Sequence, residues 1–166
     1  MRSLLLGAVL LSACGGRTVV GGGPAWSAGW VSGGGPHTGV GGGIELGHYR
    51  PLGRDRLGIF ATLDLAGYSS SGDADPIFWS ELQGRWRRDL SGQLHVAFGP
   101  GIGYAFPYTD DVVVAAYAEL GYDVPLGSRV SLEISLRERP AFFIGGGDPV
   151  GFPHNTLALG VAIAIE

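Results

Sequence analysis

The sequence predicts an all-β chain, an eight-stranded antiparallel up-and-down transmembrane β-barrel. Hydrophobicity alternates with a period of two residues along most of the chain, and clusters of Gly, Pro, Asp and Ser interrupt this alternation. No segment shows a convincing 3.6-residue period. A third observation concerns which face of the strands is apolar, and it decides between a soluble and a membrane barrel.

The alternation divides the chain into segments separated by connections of two kinds. Short turns follow the second, fourth and sixth segments, whereas most of the other connections are longer, which is the pattern of outer-membrane barrels with periplasmic turns and extracellular loops. The predicted strands cover residues 24–32, 39–50, 57–70, 77–90, 93–106, 112–124, 130–143 and 155–165.

One face of the clearest segments is entirely apolar. It carries Leu57, Ile59 and Leu63 in the third segment, while Gly, Ala and scattered charged residues occupy the positions between the apolar ones. In a soluble barrel this second face would meet water, yet it is poorer in charge than a soluble surface, which holds about 25–35% charged residues. We therefore expect the apolar face to point outward into lipid, which strands of about 9–11 residues can cross.

Composition limits the other classes. The chain has 166 residues with 31 Gly, and all its basic residues are Arg. A hydrophobic content of 45% and the lack of a Gly-X-Y repeat argue against wholesale disorder and exclude collagen. A net charge of -4 without a basic tract argues against a nucleic-acid partner. The length fits one domain, or two at most.

The amino terminus has the form of a secretory signal over residues 1–13, with Arg2 before an apolar run that is too short to cross a bilayer. Its end, from Leu11 to Cys14, resembles the bacterial lipobox. The resemblance implies cleavage before Cys14 and lipidation of this residue, and Gly15 after it implies sorting to the outer membrane. Because Cys14 is the only cysteine, an intramolecular disulfide is impossible. Residues 14–23 are expected to form a Gly-rich tether, and residues 24–166 the barrel.

Charged residues are predicted on the inward face. An eight-stranded barrel is only wide enough for its own side chains to fill, so these charges are expected to form a structural ion-pair network. Counting from the turn end places Glu45, Arg85 and Glu119 at one depth, and Asp64 and Arg137 at another. A proton- or ion-conducting path is the alternative. The predicted network comprises Glu45, Asp64, Glu81, Arg85, Arg87, Glu119, Glu133, Arg137 and Arg139.

Aromatic residues are expected at the two membrane interfaces. Trp86 and Tyr122 point outward near the turn end, whereas Phe78, Tyr104 and Phe106 do so near the loop end. The loops carry several Asp residues and two His, but no calcium-binding spacing, so neither a metal nor a cofactor is expected.

Residues 24–166 as a whole resemble the small eight-stranded outer-membrane barrels of the OmpA transmembrane-domain and OmpX type. The last segment also resembles the signal read by the barrel-assembly machinery, with Gly160, Ile163 and Ile165 at the expected spacing. Ala158 and the terminal Glu166 depart from that signal. The resemblance implies a monomer in the bacterial outer membrane, with membrane lipid, lipopolysaccharide and the assembly machinery as partners.

Three functions compete. The leading hypothesis is a non-enzymatic barrel with an envelope-structural or surface-interaction role. A periplasmic, lipid-anchored, lipocalin-like ligand binder is the second, although the Gly-x-Trp signature is absent near Gly29 and Trp30. A lipid A-modifying enzyme is the third, although His154 lacks the flanking Ser pattern of the deacylases.

Overall fold

The computed structural model describes residues 16–31, 36–70, 73–106, 112–144 and 153–165. Within these ranges the side chains of 66–70, 73–77, 105–106, 142–144 and 153–165, and of a few residues around the first loop, are not described. The predicted signal peptide and Cys14 also lie outside the described residues.

The described chain is built from strands alone. These are β1 (Arg17–Val31), β2 (Pro36–Leu52), β3 (Asp55–Ser70), β4 (Asp73–Ser91), β5 (Leu94–Phe106), β6 (Val112–Pro125), β7 (Val130–Ile144) and β8 (Pro153–Ile165). Among the described residues there is no helix long and apolar enough to cross a membrane.

Each strand pairs antiparallel with its neighbour in sequence, and the first and last strands pair with each other. Val20 lies opposite Ile165 in the β1–β8 ladder, and Leu46 lies opposite Val20 in the β1–β2 ladder. The all-β, antiparallel, up-and-down prediction is therefore confirmed. Closure matters physically because it leaves neither β1 nor β8 with an unpaired edge.

The turn between β2 and β3 is tighter than predicted. Leu52 still pairs with Asp55, so the predicted connection from 51 to 56 reduces to Gly53 and Arg54. Gly53 has a φ of 64°, a conformation that glycine adopts without a steric penalty and that tight hairpins favour. At the next turn Ser91 pairs with Leu94. We call this end of the barrel the turn end, and the opposite end the loop end.

The predicted tether is wrong over residues 17–23, because these residues form the first half of β1. Val19 is buried against Tyr49 and Phe60, which a solvated tether would not allow. Space is also tight further along β1: a Cβ at Gly21 would stand 3.1 Å from Cγ of the Glu45 side chain, and one at Gly22 would stand 2.9 Å from the backbone carbonyl oxygen of Gly43.

Where side chains are described, the exterior of the barrel is mainly apolar, and the interior combines charged and polar groups with aromatic and small apolar side chains. On β3, Ile59 is 62% exposed, whereas the next residue, Phe60, is 1% exposed. On β6, burial alternates from residue to residue over most of the strand. Fully buried positions include Gln83 and His95. The strands thus present their apolar residues to the exterior and close around polar groups.

Candidate functional site

The charged interior is the candidate site, and strands β2 to β7 contribute to it. All nine predicted residues lie on the inward face. Glu81, Arg85, Glu119 and Glu133 are buried, whereas Glu45, Asp64, Arg87, Arg137 and Arg139 are partly buried. The residues form groups at different heights in the barrel.

Arg85 on β4 lies at the middle of the barrel. Its Nη2 donates a hydrogen bond to Oε2 of Glu45 at 2.9 Å, and its Nε donates to Oε1 of Gln83 at 2.7 Å. The guanidinium carbon lies 4.1 Å from the ring centroid of Phe60 and 4.5 Å from that of Tyr117. Charge, hydrogen bonds and cation–π contacts therefore hold this cation from several sides.

Arg137 on β7 joins two carboxylates. It donates from Nε to Oε2 of Glu119 at 2.5 Å and from Nη2 to Oε1 of Glu133 at 2.8 Å. Glu119 also accepts a hydrogen bond from the hydroxyl of Tyr117, and Nε2 of His95 lies 3.2 Å from its other oxygen. Arg137 and Glu119 are direct cross-strand neighbours, which explains why Glu119 pairs with Arg137.

Toward the loop end, Arg139 on β7 binds two carboxylates. Its Nη2 donates to Oδ2 of Asp64 at 2.7 Å, and its Nε lies 3.4 Å from Oε2 of Glu81. Glu81 accepts a hydrogen bond from Nε1 of Trp79 at 2.9 Å, and Arg139 lies over the Trp79 ring. The depth count, which ignored shear, set Asp64 level with Arg137; the ion pair of Asp64 is formed with Arg139, two residues further along β7.

Toward the turn end, Arg87 donates to Oδ2 of Asp123 at 2.5 Å and to Oδ1 of Asp89 at 3.1 Å. Nδ1 of His95 lies 3.4 Å from the same oxygen of Asp123. Because Nε2 of His95 contacts Glu119, His95 connects the turn-end group to Glu119. Sequence reasoning placed His95 and Asp123 on the inward face but did not include them in the network. Their alternation with outward Val96 and Tyr122 was the available signal.

The interior leaves little free volume among the described residues. One cavity, beside Arg85, Arg137 and Arg139, has about 40 Å³, and a second beside Tyr49 and Phe60 has about 10 Å³. Ligand pockets for small molecules are typically about 300–1,000 Å³. A wider recess of about 170 Å³ opens at the turn end, where arginines and aspartates line it. The middle of the barrel is therefore filled by its own side chains.

His95, Glu119 and Glu133 place potential metal-ligand atoms within 4.8 Å of one another. The guanidinium of Arg137 already binds both carboxylates. A metal ion would have to displace this cation and would be repelled by it. The geometry therefore fits an ion-pair cluster better than a metal centre.

The outward aromatic residues lie on the apolar surface. Phe78, Tyr104 and Tyr122 are 44%, 57% and 43% exposed. Trp86 is only partly exposed because its ring packs 4.5 Å from that of Phe98, with Arg88 5.1 Å away. The fifth predicted girdle residue, Phe106, lies opposite Phe78 in the β4–β5 ladder; its side chain lies outside the described set.

Just outside the apolar surface at the turn end, Arg88 and Asp55 form a two-fold hydrogen-bonded pair. Nε and Nη2 of Arg88 lie 2.6 Å and 2.9 Å from the two carboxylate oxygens. This interaction lowers the pKa of Asp55, so the pair stays ionised at neutral pH. Arg88 is therefore neutralised by a local partner.

Comparison with known proteins supports the fold. The chain is similar to the crystal structure of Neisserial surface protein A (NspA), with a TM-score of 0.64 and 13% identity over 91% of this chain and 98% of that one. It also matches a de novo designed transmembrane β-barrel, with a TM-score of 0.44 and 14% identity over 89% and 95% of the two chains. No protein-family model and no curated protein matches the sequence. At this identity the likeness to the Neisserial protein establishes the barrel fold.

Proposed function

We propose that this chain spans the bacterial outer membrane as a β-barrel with a plugged polar interior, and that its role is structural or surface-interacting and not enzymatic. One observation carries the proposal: apolar side chains cover the exterior, while ion pairs fill the interior. Val40, Ile44 and Ile59 are 71%, 64% and 62% exposed. Contiguous apolar surface of this kind is costly in water and favourable in lipid.

The interior network supports a plug over a conducting path. Arg85, Arg137 and Arg139 each contact carboxylates from other strands, and the cavities between them hold at most a few water molecules. An ion crossing the barrel would have to break these pairs in succession.

The ligand-binding alternative has little support. A lipocalin-like protein holds an apolar ligand inside and presents a polar exterior to water. Here the described interior buries charged groups such as Glu81, Arg85 and Glu119, and the exterior exposes large apolar side chains. A lipid A-modifying activity remains a hypothesis, and mass spectra of lipid A from a deletion strain, compared with the parent strain, test it directly.

The proposed lipid anchor fits the same arrangement. If Cys14 is lipidated, only Gly15 and Gly16 separate it from the start of β1 at the turn end. The acyl chains would then enter the leaflet on the turn side, close to the barrel wall. In this proposal the turn end is periplasmic, the barrel is monomeric, and the barrel-assembly machinery inserts it among phospholipid and lipopolysaccharide.

Heat-modifiable electrophoretic migration tests the membrane barrel. We expect residues 16–166, refolded in detergent, to migrate differently before and after boiling, and to precipitate when the detergent is removed. A soluble, folded monomer without detergent would contradict the proposal.

A further inference from the structure

The arginines are distributed unevenly between the two ends of the barrel. Arg85, Arg87, Arg137 and Arg139 point into the interior, and every other arginine from residue 17 onward lies at the turn end. The connections at the loop end contain no arginine, and Asp73, Asp75, Asp110, Asp111 and Asp148 lie in or beside them. The described arginines outside the interior are therefore confined to the turn end.

Three exposed arginines at the turn end have no partner among the described residues. Arg56 and Arg88 are bound by Asp89 and Asp55. Arg50, Arg54 and Arg129 are exposed, and none of them forms a hydrogen bond or ion pair within the described part of the chain. We call these three residues the arginine collar.

The collar lies next to the apolar surface and on two sides of the barrel. Arg50 follows Leu46 on the outward face of β2, and Arg54 lies in the β2–β3 turn. Arg129 precedes β7, half a circuit away in the closed strand order. Both turns also expose a leucine, Leu52 at 58% and Leu126 at 60%. Apolar and cationic side chains side by side are typical of the boundary between acyl chains and headgroups.

From this placement we propose that the arginine collar binds the phosphate groups of anionic phospholipids in the leaflet at the turn end. A guanidinium group matches phosphate oxygens with two parallel donors, and the collar offers such donors without first breaking a protein ion pair. The inference deepens the proposed function, because it requires that the barrel spans a membrane. It adds a lipid class and a leaflet to that proposal.

Lipid selectivity of the full chain tests the collar. The chain is reconstituted into vesicles of phosphatidylcholine with phosphatidylglycerol as the minor lipid, and the two lipids are brominated in separate preparations. Quenching of tryptophan fluorescence then reports which lipid surrounds the barrel, since Trp26 and Trp86 lie on the outward face. The compared proteins are wild type, the triple variant R50Q/R54Q/R129Q, and the charge-preserving control R50K/R54K/R129K.

We expect brominated phosphatidylglycerol to quench the wild type in preference to brominated phosphatidylcholine, and high salt to weaken this preference. The glutamine variant should lose at least about fivefold in selectivity, the effect of one basic residue at an anionic surface. The lysine control should retain most of the selectivity. Single variants at the turn positions, Arg54→Gln and Arg129→Gln, serve if the triple glutamine variant does not fold.

Equal lipid selectivity of the wild type and the glutamine variants would contradict lipid binding by the arginine collar. Insertion of the wild type with no preference for the anionic lipid would contradict it as well. Either result leaves the membrane barrel intact. Failure of the wild type to insert into either vesicle, with no heat-modifiable migration, would instead overturn the proposed function.

Discussion

At the scale of single residues, the interior uses arginine because one guanidinium can satisfy several acceptors at once. Arg85 binds Glu45 and Gln83 while its guanidinium also lies over two aromatic rings. Lysine would offer a point charge without the planar fork or the stacking surface. A barrel this narrow therefore fills its centre with few, multiply bonded cations.

Replacing Arg85 with Ala should destabilise the barrel without opening it. The substitution leaves the Glu45 carboxylate without its cation and removes packing between Phe60 and Tyr117. Breaking a buried pair costs about 3–5 kcal/mol, which urea unfolding in detergent or lipid should measure. Arg137→Ala should act in the same way, because both Glu119 and Glu133 lose a donor.

Planar-bilayer recordings complete this test. Arg54→Ala, at an exposed position in a turn, is the matched control and should leave the unfolding midpoint unchanged in detergent that contains no anionic lipid. Single-channel conductance in the Arg85→Ala variant, absent from wild type, would contradict the plug. An unchanged midpoint in that variant would contradict the pairing described here.

The sequence could predict which residues face inward, but it could not predict their partners. Parity along each strand places Arg137 and Arg139 on the same face, and no sequence feature says which of them reaches Asp64. That choice depends on shear, which sums the offsets of every ladder around the barrel. Cross-strand neighbours such as Glu119 and Arg137 need only one ladder, so they are the most predictable pairs.

At the scale of strands, glycines set how closely neighbouring backbones and interior side chains approach. On β5, a Cβ at Gly99 would overlap the carbonyl oxygen of Gly84, and one at Gly121 on β6 would overlap the ring of His95. The adjacent Pro100 lacks an N–H to donate to the β4–β5 ladder. This part of the wall depends on small residues for its packing.

Gly99→Ala should therefore destabilise the barrel by about 1–3 kcal/mol, the usual cost of overpacking. The added methyl meets backbone of β4, which cannot rotate away as a side chain can. Gly92→Ala is the matched control, because a Cβ there has no neighbour within 4 Å. Urea unfolding should give a lower midpoint for Gly99→Ala than for Gly92→Ala. Equal midpoints would show that the β4 and β5 backbones move apart at little cost in free energy.

The first strand shows why composition alone misassigned residues 17–23. Glycine is depleted in strands and common in linkers, so a Gly-rich run after a lipidation motif indicates a tether. The run is nevertheless a strand because it pairs with β2 and β8: Val20 lies opposite Leu46 on one side and Ile165 on the other. Both partners are distant in sequence, so no local pattern could reveal the strand.

At the scale of the whole molecule, the barrel exposes large apolar side chains and buries charged ones, the reverse of a soluble protein. Its stability in lipid depends on the pairing of β1 with β8, which closes the sheet. Backbone groups in lipid have no water to bond with, so every strand edge must be paired. The β1–β8 ladder supplies the last pairing, and its turn-end half uses Val20, Gly21 and Gly22. The alternation predicted the inversion well, because it is a local property repeated in each strand.

Two amino-terminal deletions should therefore behave differently. Removal of residues 1–15 leaves β1 complete from Arg17 onward, and this chain should refold in detergent with heat-modifiable migration. Removal of residues 1–23 deletes seven residues of β1, and with them the pairs that join Val20, Gly21 and Gly22 to β8. Unpaired edges of β2 and β8 would then face lipid, a cost of several kcal/mol for each lost backbone partner.

We expect the longer deletion to lose heat-modifiable migration and protease resistance at equal protein and detergent concentrations. Equal refolding of the two chains would show that residues 17–23 are dispensable and act as a tether after all. A shorter deletion ending at residue 19 offers an intermediate test, because it removes buried Val19 but keeps the β1–β8 pairs from Val20 onward. Partial destabilisation of that chain, between the other two, would show that the closing ladder and the burial of Val19 contribute separately.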